Sequence, residues 1–116
     1  MYTTKNLLAE LLVRARAVTQ GYIKKNGIWS TGEEIAHIHS EVSEIYEALK
    51  HNESKERILE EMADVIFTDL ALAHLLNYSD SDIIHALFSK LQVIEKRVET
   101  QNIVLTSDWK VSDNEK

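Results

Sequence analysis

Proline is absent from this chain, and its apolar residues recur at intervals of three and four rather than two. That spacing predicts amphipathic α-helices and excludes the alternation of a half-buried strand. Four segments carry the pattern. The first covers roughly residues 4–24, with Leu7, Leu8, Leu11, Leu12, Ala15 and Val18 on one side and basic residues outward, and it ends or bends between Gly21 and Gly27. The second begins after Thr31, because Thr31-Gly32-Glu33-Glu34 has the S/T-x-x-E form of a capping box. Ile35, Ile38, Val42, Ile45 and Leu49 predict its core-facing stripe. The third follows the polar break Lys50-His51-Asn52-Glu53, with Ser54 as its cap, and runs to about Asn77. The fourth opens on Ser79-Asp80-Ser81-Asp82 and turns Ile84, Leu87, Leu91, Ile94 and Val98 inward.

The expected fold is all-α, a four-helix bundle-like subunit formed by residues 1–102. The tail 103–116 loses helical periodicity and is expected to be partly disordered or to dock on a neighbour through Ile103, Val104, Leu105 and Trp109. From Met62 to Leu76 the third helix is apolar on nearly every side, more than one small bundle can cover. Association of subunits through this region is therefore expected.

Within these helical patterns lie two acidic pairs, Glu41-Val42-Ser43-Glu44 and Glu61-Met62-Ala63-Asp64. Residues three apart on a helix lie about 60° apart around the axis, so each pair projects two carboxylates from one face. If the two faces meet, four carboxylates converge. At an effective dielectric near 20, charges ~6 Å apart repel by roughly 2–3 kcal/mol per pair. Six such terms rival the typical ~5–15 kcal/mol stability of a domain. A bound cation relieves them, and an oxygen-only site suits magnesium, manganese or calcium rather than zinc. Solvated acids at the edge of an apolar stripe are the competing reading, and spacing alone leaves both open.

Charge and composition narrow the partners. Nineteen acidic residues against thirteen basic ones give a net charge of −6, which argues against binding along a nucleic-acid polymer but not against a free nucleotide carrying a metal. There is no cysteine, hence no disulfide, thiolate site or cysteine nucleophile. The opening MYTTKNLLAELLVRARAV lacks the layout of a secretory leader, and no stretch approaches the ~20 apolar residues of a membrane span, so the cytoplasm is the expected location and no membrane partner is expected.

Other constellations remain in play. Glu34-Ile35-Ala36-His37 is an E-x-x-H, and Asp82-Ile83-Ile84-His85 is a rough second copy, the spacing used by helical bundles that hold two irons. His37 and His39 point to nearly opposite sides of a helix and cannot chelate one ion together. His37 shares a face with Glu41, one turn on, and is a candidate for positioning a ligand. Lys90 and Arg97 are two turns apart on one face, where both could reach a group of phosphates or simply be solvated. Trp29, in the connection before the acidic helix, can stack on a base or pack between helices. No glycine-rich phosphate loop and no Gly-x-Ser-x-Gly turn occurs.

Taken in order, KNGIW, HIHSEVSEIYEAL, EEMADVIFTDLALA and KLQVIEKR resemble the MazG-like family of all-α nucleoside triphosphate pyrophosphatases over roughly residues 20–98. That family is marked by E-x-x-E and, after a variable spacer, E-x-x-D. Here the 16 residues from Ile45 to Glu60 separate the two. The resemblance implies that Glu41, Glu44, Glu61 and Asp64 bind magnesium, with manganese as a possible substitute, and that Lys90 and Arg97 hold phosphate. It implies hydrolysis of a nucleoside triphosphate to the monophosphate and pyrophosphate, by water attacking the α-phosphorus. Glu44 is the choice for the group that aligns or deprotonates the water, with Glu41 also catalytic, while Trp29 and His37, with Gly27, contribute to a base pocket. The family assembles as dimers or dimer pairs with helices shared across the interface, so a homodimer or homotetramer is expected. Ile94 stands where many relatives have asparagine, and Ser40 where some carry a further acid. The identity of the nucleotide is not implied. A helical module that binds nucleotides without hydrolysing them, or serves only a structural role, and the di-iron protein are the alternatives.

Overall fold

The computed structural model describes residues 4–101 and, among them, contains helices and no strand. Helix α1 spans Thr4–Asn26, α2 Thr31–Lys50, α3 Lys55–Leu75 and α4 Asp80–Gln101. The expected tail, 103–116, lies outside the described residues. The chain divides into two compact units at Asp80, the first holding α1 to α3 and the second the body of α4. In the first unit α3 is the centre: α2 packs along it as an antiparallel hairpin partner, and α1 packs against it.

Local chemistry sets each helix end. Gly21 does not interrupt α1, which continues to Asn26 and stops at Gly27, where φ is +83° and the amide donates to the carbonyl of Ile23. The capping box of α2 sits one residue earlier than its sequence form suggests. Ser30, with extended φ and ψ of −77° and 157°, accepts from the amide of Glu33 at 3.0 Å, and the Glu33 carboxylate accepts from the amide of Ser30 at 2.8 Å. Thr31 is already helical, and Glu34 is left for another partner. Ser54 caps α3 as expected, accepting from the amide of Arg57.

The ends of α2 and α3 repeat one device. Asn52 donates to the carbonyl of Leu49 and Glu53 to that of Ala48, while Asn77 donates to His74 and Tyr78 to Ala73. Each is a Schellman arrangement with asparagine in the left-handed position, at φ of 54° and 67°. Asparagine tolerates that conformation better than other residues with a Cβ. Because α3 closes in this way, it ends at Leu75 rather than at Asn77.

The inward faces differ from the stripes that hydrophobicity alone selects. On α2 the buried residues are Glu34 and Ala48, with half-buried Glu41 midway between them. Positions seven apart share a helical face, so Glu34, Glu41 and Ala48 define the inward seam. Ile35, Val42 and Leu49 lie one residue further round and are 46%, 49% and 55% exposed, which corrects the expectation that they face the core. On α3 the buried pair is Glu61 and Thr68, while Met62, Ile66 and Phe67 are exposed rather than enclosed. On α1 it is Leu12 and Thr19. On α4, Leu87, Leu91, Ile94 and Val98 are exposed, so that predicted inward stripe is also uncovered in the single chain. The physical reason is common: apart from Leu12, the most closely buried positions of the first unit are small or polar, while Ile38, Ile45, Val65 and Leu70 are half-buried beside them.

One polar clamp fixes α1 against the far end of α3. Arg16 donates to Nδ1 of His74 at 2.9 Å, to the carbonyl of Tyr78 at 3.2 Å and to the carboxylate of Asp80 at 2.5 Å. A guanidinium only donates, so Nδ1 of His74 accepts in this contact. Replacing Arg16 with Met leaves three acceptors without their donor. The Arg16→Met variant should lose about 1–3 kcal/mol of stability, measured by urea unfolding.

Candidate metal centre and adjoining cavity

The α2–α3 hairpin brings Glu41 from one helix against Glu61 and Asp64 from the other. Each of the three offers a carboxylate oxygen, and those oxygens all lie within 4.8 Å of one another. Glu61 is buried, Glu41 half-buried and Asp64 exposed. Both glutamates are held in the same way by the residue one turn earlier. Nη2 of Arg57 forms an ion pair with Oε2 of Glu61 at 2.8 Å, and Nε2 of His37 is hydrogen-bonded to Oε2 of Glu41 at 2.9 Å. In each case the other oxygen, Oε1, is buried and has no hydrogen-bond partner.

Buried carboxylate oxygens without partners are costly. Here they lie in one acidic group with a third carboxylate. The donor set is oxygen only, which fits a hard divalent cation such as magnesium, manganese or calcium. Electrostatics point the same way. Burial pushes the Glu61 carboxyl above the ordinary carboxylate value. Arg57 opposes that rise, and the negative charges of Glu44, Asp64 and Glu41 add to it. Arg57 itself is held firmly cationic, first by its hydrogen bond to Glu60 and then by the charge of Glu61.

Of the four acids named from the sequence, three therefore form the group. Glu44 is exposed and outside it, yet its charge reaches Glu61. The E-x-x-H on α2 does not act as one unit: Glu34 accepts a hydrogen bond from Trp29 Nε1 at 2.7 Å, whereas His37 serves Glu41. Among the described residues the metal-capable group contains no histidine. His39 and Ser40 are exposed on α2. Lys90, Ile94 and Arg97 are exposed on α4, in the second unit.

A cavity of about 1090 Å³ opens beside the acids, lined by residues of α1, α2, α3 and the α1–α2 connection. Glu41 and Asp64 stand on its wall, and so do His37 and Trp29. Tyr22, Val18 and Phe67 contribute to its apolar and aromatic surface, and Glu10, Arg14, Asn26, Glu33 and Glu34 are further charged or polar points on it. Its size matches the upper end of small-molecule pockets, as does the mixture of apolar wall and few polar groups.

Sequence reasoning missed Arg57, Glu34 as a cavity residue, and the contributions of Tyr22 and Phe67. Arg57 left a signal, the i, i+4 spacing to Glu61 that pairs opposite charges on a helix. Tyr22 and Phe67 left none, because they come from separate helices and meet only in the fold. No family model, curated protein or solved structure matches this chain.

An acid whose pKa is higher folded than unfolded binds more protons in the native state between the two values, so stability is greatest below the unfolded value and falls as pH rises through the folded one. Glu61 is such a group. Without divalent cations, the melting temperature should fall as pH is raised from about 4.5, the ordinary carboxylate value, towards neutrality. Glu61→Gln should flatten that decline, and millimolar magnesium should offset it in the wild type only. Thermal melts across the pH range check all three.

Proposed function

We propose that this protein is a magnesium-dependent nucleoside triphosphate pyrophosphohydrolase of the MazG-like type, releasing monophosphate and pyrophosphate. The observation that carries the reading is the junction of two features: three clustered carboxylates, two with buried free oxygens, on the wall of an aromatic-lined cavity. Cation-bound phosphates at one end and a base at the other match that layout. The order of motifs along the chain supports the same assignment.

Glu41, Glu61 and Asp64 would hold the magnesium, with manganese able to replace it. When bound, the cation supplies charge neutralisation and orientation of the phosphates. Arg57 and His37 fix the two glutamates so that their open oxygens stay in place. Glu44 has no place in the three-residue group, so its carboxylate is available to accept a proton from the water that attacks the α-phosphorus. Lys90 and Arg97, two turns apart on one face of α4, are the residues that the resemblance assigns to phosphate. Trp29 offers a ring for a base to stack on.

The direct test is incubation with magnesium and each common triphosphate, with pyrophosphate and monophosphate assayed separately. Release of single phosphates, or of nothing, would reject the assignment, and the second outcome would leave a non-catalytic helical module. Glu41→Gln and Asp64→Asn should each lower kcat by about 100-fold or more, as expected when one preorganised electrostatic contact is lost. Circular dichroism should show the helices intact in both.

Self-association belongs to the same proposal, as a homodimer or homotetramer. Ile35, Val42 and Leu49 on α2 form one exposed apolar row, and Leu59, Met62 and Ile66 on α3 another. Rows of this kind on a soluble chain are covered by a partner. Val42→Asp or Ile66→Asp should shift the protein towards monomer in sedimentation velocity, with a loss of thermal stability.

A further inference from the structure

Glu34 is the most deeply buried acid outside the metal-capable group. It is 3% exposed and lies on the cavity wall. Its carboxylate is half-used. Oε1 accepts the indole N–H of Trp29 at 2.7 Å, while Oε2 is buried with no hydrogen-bond partner. No cation is paired with it among the described residues. Glu34 is two helical turns from Glu41 on the inward face of α2, about 10 Å along the axis. That separation is comparable with the span from the phosphates to the far edge of a base.

We infer that Glu34 is a specificity-determining residue, selecting nucleotides whose base presents an amino group over their oxo counterparts. The inference rests on the nucleotide reading of the cavity given above. A carboxylate only accepts, so the ligand atom that satisfies its open oxygen must donate. The last torsion of a glutamate side chain is soft, so Oε2 can turn towards the cavity. The exocyclic amine of cytosine, adenine or guanine fits this requirement. Uracil and thymine present one N–H flanked by two carbonyls, and those carbonyls would face a buried negative oxygen. A site built around a buried polar group rejects the ligand that leaves it unpaired far more strongly than it rejects a small change of shape.

Trp29 completes the argument by fixing direction. Its N–H engages one end of the Glu34 group, so in Glu34→Gln the amide oxygen takes that role and the NH2 faces the cavity. Acceptor becomes donor at the same point in space, and the preference should turn over.

The experiment compares matched pairs that differ only by amine against carbonyl, CTP with UTP and ATP with ITP, using the full chain and magnesium. The wild type should favour the amino member by about 10- to 100-fold in kcat/KM, the range set by one hydrogen bond to a charged buried group. Glu34→Gln should bring that ratio to about one or invert it. A wild-type ratio at or below one, or a ratio that Glu34→Gln leaves unchanged, would overturn the inference while the hydrolase assignment stood. If no triphosphate is hydrolysed, Trp29 fluorescence in a Trp109→Phe background reads binding of CMP against UMP. Tighter CMP binding that Glu34→Gln abolishes would uphold the role of Glu34 without the hydrolase. Equal binding, or none, would overturn it.

Discussion

Burial of Glu61 between α2 and α3 is the constraint around which the first unit is arranged. A lone carboxylate in that position would be expelled or protonated, and its pKa is indeed displaced upwards, by burial before any other cause. Arg57 reduces that displacement from one side, yet bonds only one of the two oxygens. The remaining oxygen has no hydrogen-bond partner, and the carboxylate belongs to the group to which Glu41 and Asp64 also contribute. The structure thus keeps an electrostatic debt at the place where α2 and α3 approach. Proteins retain such unfavourable arrangements where a ligand relieves them, and the proposed divalent cation would relieve this one for all three acids at once.

The same arrangement accounts for the exterior. A helix has one face to give to its neighbours within the chain. On α2 that face goes to Glu34, Glu41 and Ala48, so the apolar row one residue further round must look outward. On α3 the burial of Glu61 and Thr68 leaves Met62 and Ile66 outside in the same way. The polar seam and the exposed apolar rows are therefore two results of one choice of helix rotation. Leu12 and Ala48 are the only hydrophobic residues fully buried among those described, too little for a core of ordinary size. That shortage of apolar burial within the single chain is the physical ground for the proposed self-association.

This choice of rotation also sets what the sequence disclosed. Helix existence was legible, because periodicity and the absence of proline act over whole segments. The caps were legible to within a residue: Ser54 was read in place, whereas Thr31 was taken for the cap that Ser30 provides. The shift matters, since the Thr31 reading assigns Glu34 to a capping box and thereby hides its bond to Trp29. Three of the four acids were placed together by spacing and motif, because i, i+3 pairs stay on one face however the helix is turned. The rotation of α2 was not legible, because Ile35, Val42 and Leu49 look more like a core than Glu34, Glu41 and Ala48 do. Hydrophobicity ranks residues by their own preference for burial, and here the requirement to gather oxygens overrides that preference.

Glu34 and Glu41 then read as one system along α2. Both occupy the inward face, both line the cavity, and each has one oxygen tied to a ring nitrogen, Trp29 for the first and His37 for the second. Each leaves a second oxygen without a partner. The two ring donors fix where the open oxygens stand, and two turns of helix fix the distance between them. A ligand that satisfies both must be cationic, or carry a cation, at one end and donate a hydrogen bond at the other. The proposed substrate, a metal-bound nucleotide with an amino-bearing base, meets both conditions.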